Sequence, residues 1–186
     1  MKENIIGREQ EIEKLENYIS SRKSEFIAIY GRRRVGKTFL VKELFENRFA
    51  FRITGKDNVS TKEQLASFSF ALNDQLGIET DAANWPEAFR LLQKALEKMS
   101  NGTKIIFFDE LPWFDTYASH FISALEHFWN DWASYRNDIK LIACGSATTW
   151  MLNQVINSRG GLHNRITHNN RRSPFKLHEV EEYFKS

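Results

Sequence analysis

Phe26-Ile27-Ala28-Ile29-Tyr30-Gly31-Arg32-Arg33-Arg34-Val35-Gly36-Lys37-Thr38 is the stretch that decides the fold. Five consecutive apolar residues ending at a glycine read as a strand covered on both faces. From Gly31 onward the sequence fits G-x-x-x-x-G-K-[ST], and each fixed position has a chemical reason. The glycines permit a tight turn, so successive backbone N–H groups can face phosphate oxygens beside a helix N-terminus whose dipole favours anions. Lys37 supplies a point charge for the β- and γ-phosphates, and the Thr38 hydroxyl suits Mg²⁺. Arg32, Arg33, Arg34 and Val35 fill the variable positions, where the backbone binds and the side chains are solvated or meet a neighbouring domain. Phe39, the next residue, is counted with the nucleotide-contacting set. A chance match somewhere in a chain of this length is on the order of one in a hundred.

Working outward, residues 8–20 form an amphipathic helix with Ile12, Leu15 and Ile19 at helical spacing. Residues 38–47 form the helix after the loop, with Val41, Leu44 and Phe45 on one face. Phe49–Thr54 is a second strand. Ser60-Thr61 followed by Glu63 marks a helix start, with Leu65, Phe68, Leu72 and Leu76 as its buried stripe. Pro86 opens another helix, with Phe89, Leu92, Leu96 and Met99 facing the core and Asn101-Gly102 as its left-handed stop. Strands at Lys104–Asp109 and at residues 139–144 flank a helix from about Ser119, marked by Phe121, Ile122, Leu125, Phe128, Trp129 and Trp132. Strands alternating with helices predict an α/β fold: a mainly parallel sheet with helices on both faces.

The strand Ile105-Ile106-Phe107-Phe108 ends in two carboxylates, Asp109 and Glu110. Mg²⁺ keeps several waters and takes few protein carboxylates, so Asp109 fits as its holder through the water shell. Alternation along a strand points the next acid elsewhere, which leaves Glu110 to polarise an attacking water. Another strand ends in Gly145-Ser146-Ala147-Thr148, at the edge where open α/β sheets bind ligands. Ser146 there either contacts the γ-phosphate or the water, or caps the next helix. The Asn-Lys-x-Asp signature of guanine readers is absent from the sequence, which favours ATP.

Composition narrows the partners. The 186 residues are 41% hydrophobic and carry 26 basic against 24 acidic groups, a balance too even for bulk charge to drive nucleic-acid or membrane binding. Cys144 is the one cysteine, which rules out an intrachain disulfide, and its apolar neighbours predict a buried thiol. No apolar run approaches the roughly 18 residues of a membrane span, so the expectation is a cytoplasmic protein. The histidines are dispersed, and His120 with His127 lacks the partners of a zinc site. Trp129 and Trp132 read as packing residues.

These motifs resemble the predominantly archaeal P-loop ATPase family, in the signal-transduction branch related to AAA+ and origin-recognition ATPases. Ile5-Ile6-Gly7-Arg8-Glu9 is similar to the family's opening motif, which packs against adenine and ribose and so implicates Ile6, Gly7 and Arg8. Asp109-Glu110-Leu111-Pro112-Trp113, Cys144-Gly145-Ser146-Ala147-Thr148 and Gly160-Gly161-Leu162-His163-Asn164-Arg165 also resemble family signatures. The resemblance implies a three-layer fold with sheet order 5-1-4-3-2, and ATP hydrolysis with Mg²⁺ coupled to conformational change. It implies an ATPase domain over residues 1–175, with residues 176–186 starting a truncated helical lid or tail before downstream domains that engage nucleic acid. The implied fifth strand, about residues 167–175, reads too polar for a central strand. Arg165 is the candidate for an arginine supplied to a neighbouring subunit's site in a homo-oligomer. The competing expectation is a nucleotide-gated scaffold with negligible turnover, gripping DNA through Arg165, Arg171, Arg172 and the Arg32, Arg33, Arg34 segment.

Overall fold

The computed structural model describes residues 8–157, 162 and 164–173. In chain order the elements are α1 (Glu9–Ser20), β1 (Glu25–Gly31), α2 (Lys37–Phe45), β2 (Phe49–Thr54), α3 (Thr61–Leu76), α4 (Trp85–Lys98), β3 (Lys104–Asp109), α5 (Phe121–Asp131), β4 (Ile139–Gly145), a short α6 (Thr148–Trp150) running into a π-helical turn, and β5 (His168–Arg172). The five strands form one sheet in the order β2-β3-β4-β1-β5, and every pair is parallel. That is the order 5-1-4-3-2 which the family resemblance implies.

Strand alternation divides the core in two. Phe26, Ala28, Ile106, Phe108, Leu141 and Ala143 face α3, α4 and α5, whereas Ile27, Ile29, Ile105, Phe107, Ile142 and Cys144 face α1 and α2. β1, β3 and β4 are buried along their whole length, as continuous apolar runs require. Cys144 is fully buried, and that burial pushes its thiol well above the ordinary range. The side facing α3, α4 and α5 is aromatic. Phe114, just beyond β3, stacks on Phe121 at 5.3 Å and meets Trp85 and Phe108 edge-on at 5.7 Å, anchoring the chain immediately after the two acids.

Local chemistry sets the helix ends. Ser60 and Glu63 form a reciprocal capping box on α3, and left-handed Gly77 closes it. Asn84 caps α4 by accepting from the Glu87 N–H at 2.9 Å, with Pro86 in the first turn. α4 stops at Lys98 because Met99 turns extended, so Asn101-Gly102 is not its left-handed stop, and Met99 is 38% exposed rather than in the core. α5 starts at Phe121 after left-handed His120 and ends at Asp131, leaving Trp132 outside it. β5 is five residues long and alternates in exposure, which explains its polar sequence: it is an edge strand. Among the described residues no helix is long and apolar enough to cross a membrane.

Buried charges at the N-terminal edge of the sheet are structural. The Lys104 ammonium lies 2.8 Å from Asp138, which also accepts two bonds from Arg136. Fully buried Lys140 donates to the Ser21 carbonyl and hydroxyl at 2.9 and 2.7 Å, and also to the Lys23 carbonyl. The loops from the opposite, C-terminal edge build the candidate site.

Candidate nucleotide site

β1 delivers the chain to Gly31, whose φ of +147° only glycine tolerates well. A Cβ at this position would lie 2.3 Å from the Arg172 carbonyl oxygen of the adjacent β5. Arg34 and Gly36 are left-handed at φ 65° and 77°, which curls the loop before α2. α2 begins without a side-chain cap, unlike α3 and α4, so its first-turn N–H groups have no side-chain acceptor. An anion suits that position. Lys37 is 5% exposed, and its ammonium folds back to donate to the carbonyls of Gly31 at 3.0 Å and Arg32 at 2.9 Å.

The chain then brings together residues 71 positions apart: the Thr38 hydroxyl donates to Asp109 Oδ1 at 2.8 Å. Asp109 is 5% exposed, and burial raises its carboxyl above the ordinary range, opposed by the Thr38 bond and reinforced by the charge of Glu110. A buried carboxylate that resists ionisation fits a nearby cation, and a hydroxyl with one carboxylate matches what Mg²⁺ asks of a protein. The described residues hold no cluster of three or more metal-ligating groups, so a site closed by protein ligands alone is not what they build.

Glu110 departs from Asp109 by a turn rather than by strand alternation. β3 ends at Asp109, and Glu110 is left-handed at φ 47°, ψ 51°. Its Oε2 accepts from both the N–H of Ser146 at 3.0 Å and the Ser146 hydroxyl at 2.8 Å, which joins the ends of β3 and β4. Ser146 is thus engaged by the glutamate and caps no helix; the helical residues after it carry no side-chain cap.

The other sequence candidates scatter. Arg32, Arg33 and Arg34 are exposed, and Arg33 sits over the Trp113 ring at 5.6 Å. Phe39 is 51% exposed and lines, with Thr38, Lys42 and Glu43, a cavity of about 620 Å³. A hollow of about 670 Å³ between α4 and α5 shares no residue with the loop or the acids. Ile6 and Gly7 lie outside the described residues. Arg8 is buried, with its guanidinium on Glu11 at 3.1 Å and the Ser173 carbonyl at 3.0 Å. Arg172 is 5% exposed and lies 2.8 Å from Glu11, so it cannot belong to a solvent-facing basic grip. Arg165 is exposed and precedes β5, at the opposite end of the sheet from the Gly31 loop. Sequence reasoning missed Gly55, which donates to the Asp109 carbonyl at 2.9 Å and where a Cβ would fall 2.7 Å from the Glu110 carbonyl oxygen. The signal available for it was a lone glycine directly after a strand.

A parallel sheet in this order, with a glycine loop leading into a helix at its carboxyl edge, defines a P-loop ATPase fold. The chain belongs to the family described as an ATPase domain predominantly from Archaea, whose profile matches residues 5–185. It is 29% identical over 183 residues to an uncharacterized protein of Methanocaldococcus jannaschii, covering 97% of this chain and 38% of that one. An uncharacterized ATP-binding protein of the same organism is 46% identical over 44 residues, which cover 24% of this chain and 75% of that protein. Among solved structures, a Walker-type ATPase of Pyrococcus abyssi superposes with a TM-score of 0.71 at 20% identity, covering 99% of this chain and 58% of that one. Cdc6p of Pyrobaculum aerophilum follows at 0.66 and 16%, covering 98% and 50%. The ORC2 protein of Aeropyrum pernix, solved as ADPNP–ADP complexes, gives 0.61 and 18%, covering 98% and 53%. The chain therefore spans between 38% and 58% of the length of the Methanocaldococcus protein it matches end to end and of these solved structures.

Proposed function

We propose that this domain binds ATP with Mg²⁺ and hydrolyses the β–γ anhydride, using its nucleotide state to switch contacts with other domains or subunits. The observation that supports this best is the division of labour between adjacent acids: Asp109 is buried on the Thr38 hydroxyl, while Glu110 turns away on a left-handed backbone to Ser146. In this reading Lys37 leaves the loop carbonyls for the β- and γ-phosphates, and the open N-terminus of α2 faces the same charge. Thr38, and Asp109 through water, would hold Mg²⁺, which would supply charge neutralisation on the phosphate oxygens. Glu110 takes the proton of the attacking water as its oxygen bonds to the γ-phosphorus and the bond to ADP breaks. Ser146 holds the Glu110 carboxylate in place. Ile6, Gly7, Arg8 and Phe39 are assigned to the base and ribose.

Arg165, exposed at the opposite end of the sheet from the Gly31 loop, is assigned to action in trans on a neighbouring copy's nucleotide. Cdc6p and a Drosophila ORC solved bound to DNA share this fold, and a nucleic-acid partner is part of this proposal. The test is single-turnover hydrolysis under saturating ATP and Mg²⁺. Glu110→Gln is expected to keep its affinity and lose about 10²- to 10⁴-fold in rate. Parent-like hydrolysis in that variant rejects the base, and no hydrolysis in the parent leaves the nucleotide-gated scaffold in its place.

A further inference from the structure

A left-handed glutamate is strained and persists only where its surroundings over-determine it. What holds Glu110 is a chain of contacts ending at Gln64, a glutamine in the first turn of α3 with no solvent exposure. Its Oε1 accepts from the Lys56 N–H at 3.3 Å, and its Nε2 donates to the Lys56 carbonyl at 2.7 Å and the Trp113 carbonyl at 2.8 Å. Two carbonyls on one side and an N–H on the other fix which end of the amide carries the nitrogen. Trp113 in turn donates its N–H to the Glu110 carbonyl at 3.0 Å and lies under the Arg33 guanidinium of the phosphate loop. Gly55 allows the same β2–α3 loop to lie against the Glu110 carbonyl, where a side chain would collide.

We infer that Gln64 is a positioning residue: by clasping the Lys56 loop to the Trp113 carbonyl it fixes the backbone of Glu110 and so aims its carboxylate. This rests on the hydrolytic reading above. Gln75, on the same helix but exposed, provides a control for the bonding pattern. It clasps the Arg52 backbone in the same manner, accepting from the N–H at 2.8 Å and donating to the carbonyl at 2.9 Å, but it touches edge strand β2 away from Glu110.

The test uses the full chain and four variants: Gln64→Met, Gln75→Met, Glu110→Gln and Gln64→Met with Glu110→Gln. Gln64→Met is expected to bind Mg-ATP within about twofold of the parent and to hydrolyse it about 10- to 100-fold more slowly, as a misplaced group does. Gln75→Met should hydrolyse at the parent rate. In the double variant the two losses should not multiply, because both remove the action of one group. Parent-like turnover in Gln64→Met, or losses that multiply, overturns the inference. If Gln64→Met does not fold, Gln64→Asn, one methylene shorter, is read by the same criteria. Amide exchange at Trp113 separates this inference from the hydrolytic reading. It should quicken about tenfold in Gln64→Met and not in Gln75→Met, and unchanged exchange overturns the anchoring whatever the turnover. If Glu110→Gln itself hydrolyses as the parent does, it is the base assignment that falls.

Discussion

Replacing Gly31 with alanine tests whether the first glycine of the phosphate loop is required by the fold before any ligand arrives. The new Cβ would sit 2.3 Å from the Arg172 carbonyl oxygen, 3.2 Å from its carbon and 3.4 Å from its Cα, all backbone atoms. A backbone neighbour cannot rotate aside, so β5 must shift, and Arg172 there is buried against Glu11 at 2.8 Å. Forced overpacking costs about 1–3 kcal/mol, and a φ near +147° adds about 1–3 kcal/mol for a residue with a side chain. The sum, about 2–6 kcal/mol, is a large share of the roughly 5–15 kcal/mol that holds a domain together. Gly36 is the comparison: its φ is +77° and a Cβ there meets nothing within 4 Å, so Gly36→Ala should cost only about 1 kcal/mol. Urea unfolding of both variants without nucleotide, followed by circular dichroism, measures the difference. Equal losses, or a loss below about 1 kcal/mol in Gly31→Ala, refute the argument.

Lys37→Ala should weaken Mg-ATP binding roughly 10- to 100-fold, the worth of a charge-assisted bond of about 1.5–3 kcal/mol, as read by calorimetric titration. Asp109→Asn should raise the melting temperature of the nucleotide-free domain at neutral pH while weakening its response to Mg-ATP. The sign follows from burial: a carboxyl held above its ordinary range favours the protonated fold, so stability falls as pH rises through that range, and the amide removes the penalty. Below about pH 4 the two proteins should melt alike. Asp138 behaves oppositely: the Arg136 bond first, then Lys104, holds it down to about 2. Its contribution is present above the ordinary carboxylate value and is lost as pH falls toward 2. Asp138→Asn should therefore cost about 1–2 kcal/mol at pH 7, discounted for the part of the carboxylate that meets solvent, and nothing near pH 2 in a urea titration series.

The sheet was legible because burial on both faces leaves an unbroken apolar signature, and β1, β3 and β4 each carry one. Helix starts were legible where a side chain performs the capping, at Ser60 and around Asn84 and Pro86. The ends that escaped are those set by backbone geometry alone. Met99 leaves α4 by turning extended, and His120 opens α5 from a left-handed conformation, and neither event has a residue type of its own. β5 escaped for another reason. Its polar alternation contradicts a central strand and agrees with an edge one, and edge position is a property of topology that only the family resemblance conveyed.

At the candidate site, the glycine loop between β1 and α2 could be placed from the sequence because the motif it matches fixes both residue type and spacing. The acids show where that kind of reading stops. Alternation along a strand correctly separates Asp109 from Glu110, but the strand ends between them and a left-handed turn does the separating. That turn depends on Gly55 leaving room for the Glu110 carbonyl and on Trp113 bonding to it, residues that carry no catalytic chemistry and match no motif by themselves. The direction of the Glu110 side chain is thus set by contacts far apart in sequence, which a local pattern does not encode. The same holds for Ser146: small hydroxyl residues at a strand end announce a ligand edge, but only the approach of β3 to β4 makes this one the partner of Glu110. The basic residues illustrate the converse error, since Arg172 and Arg165 look alike in sequence. The fold buries one against Glu11 beside the phosphate loop and exposes the other at the opposite end of the sheet, so charge clustering along the chain did not amount to a surface.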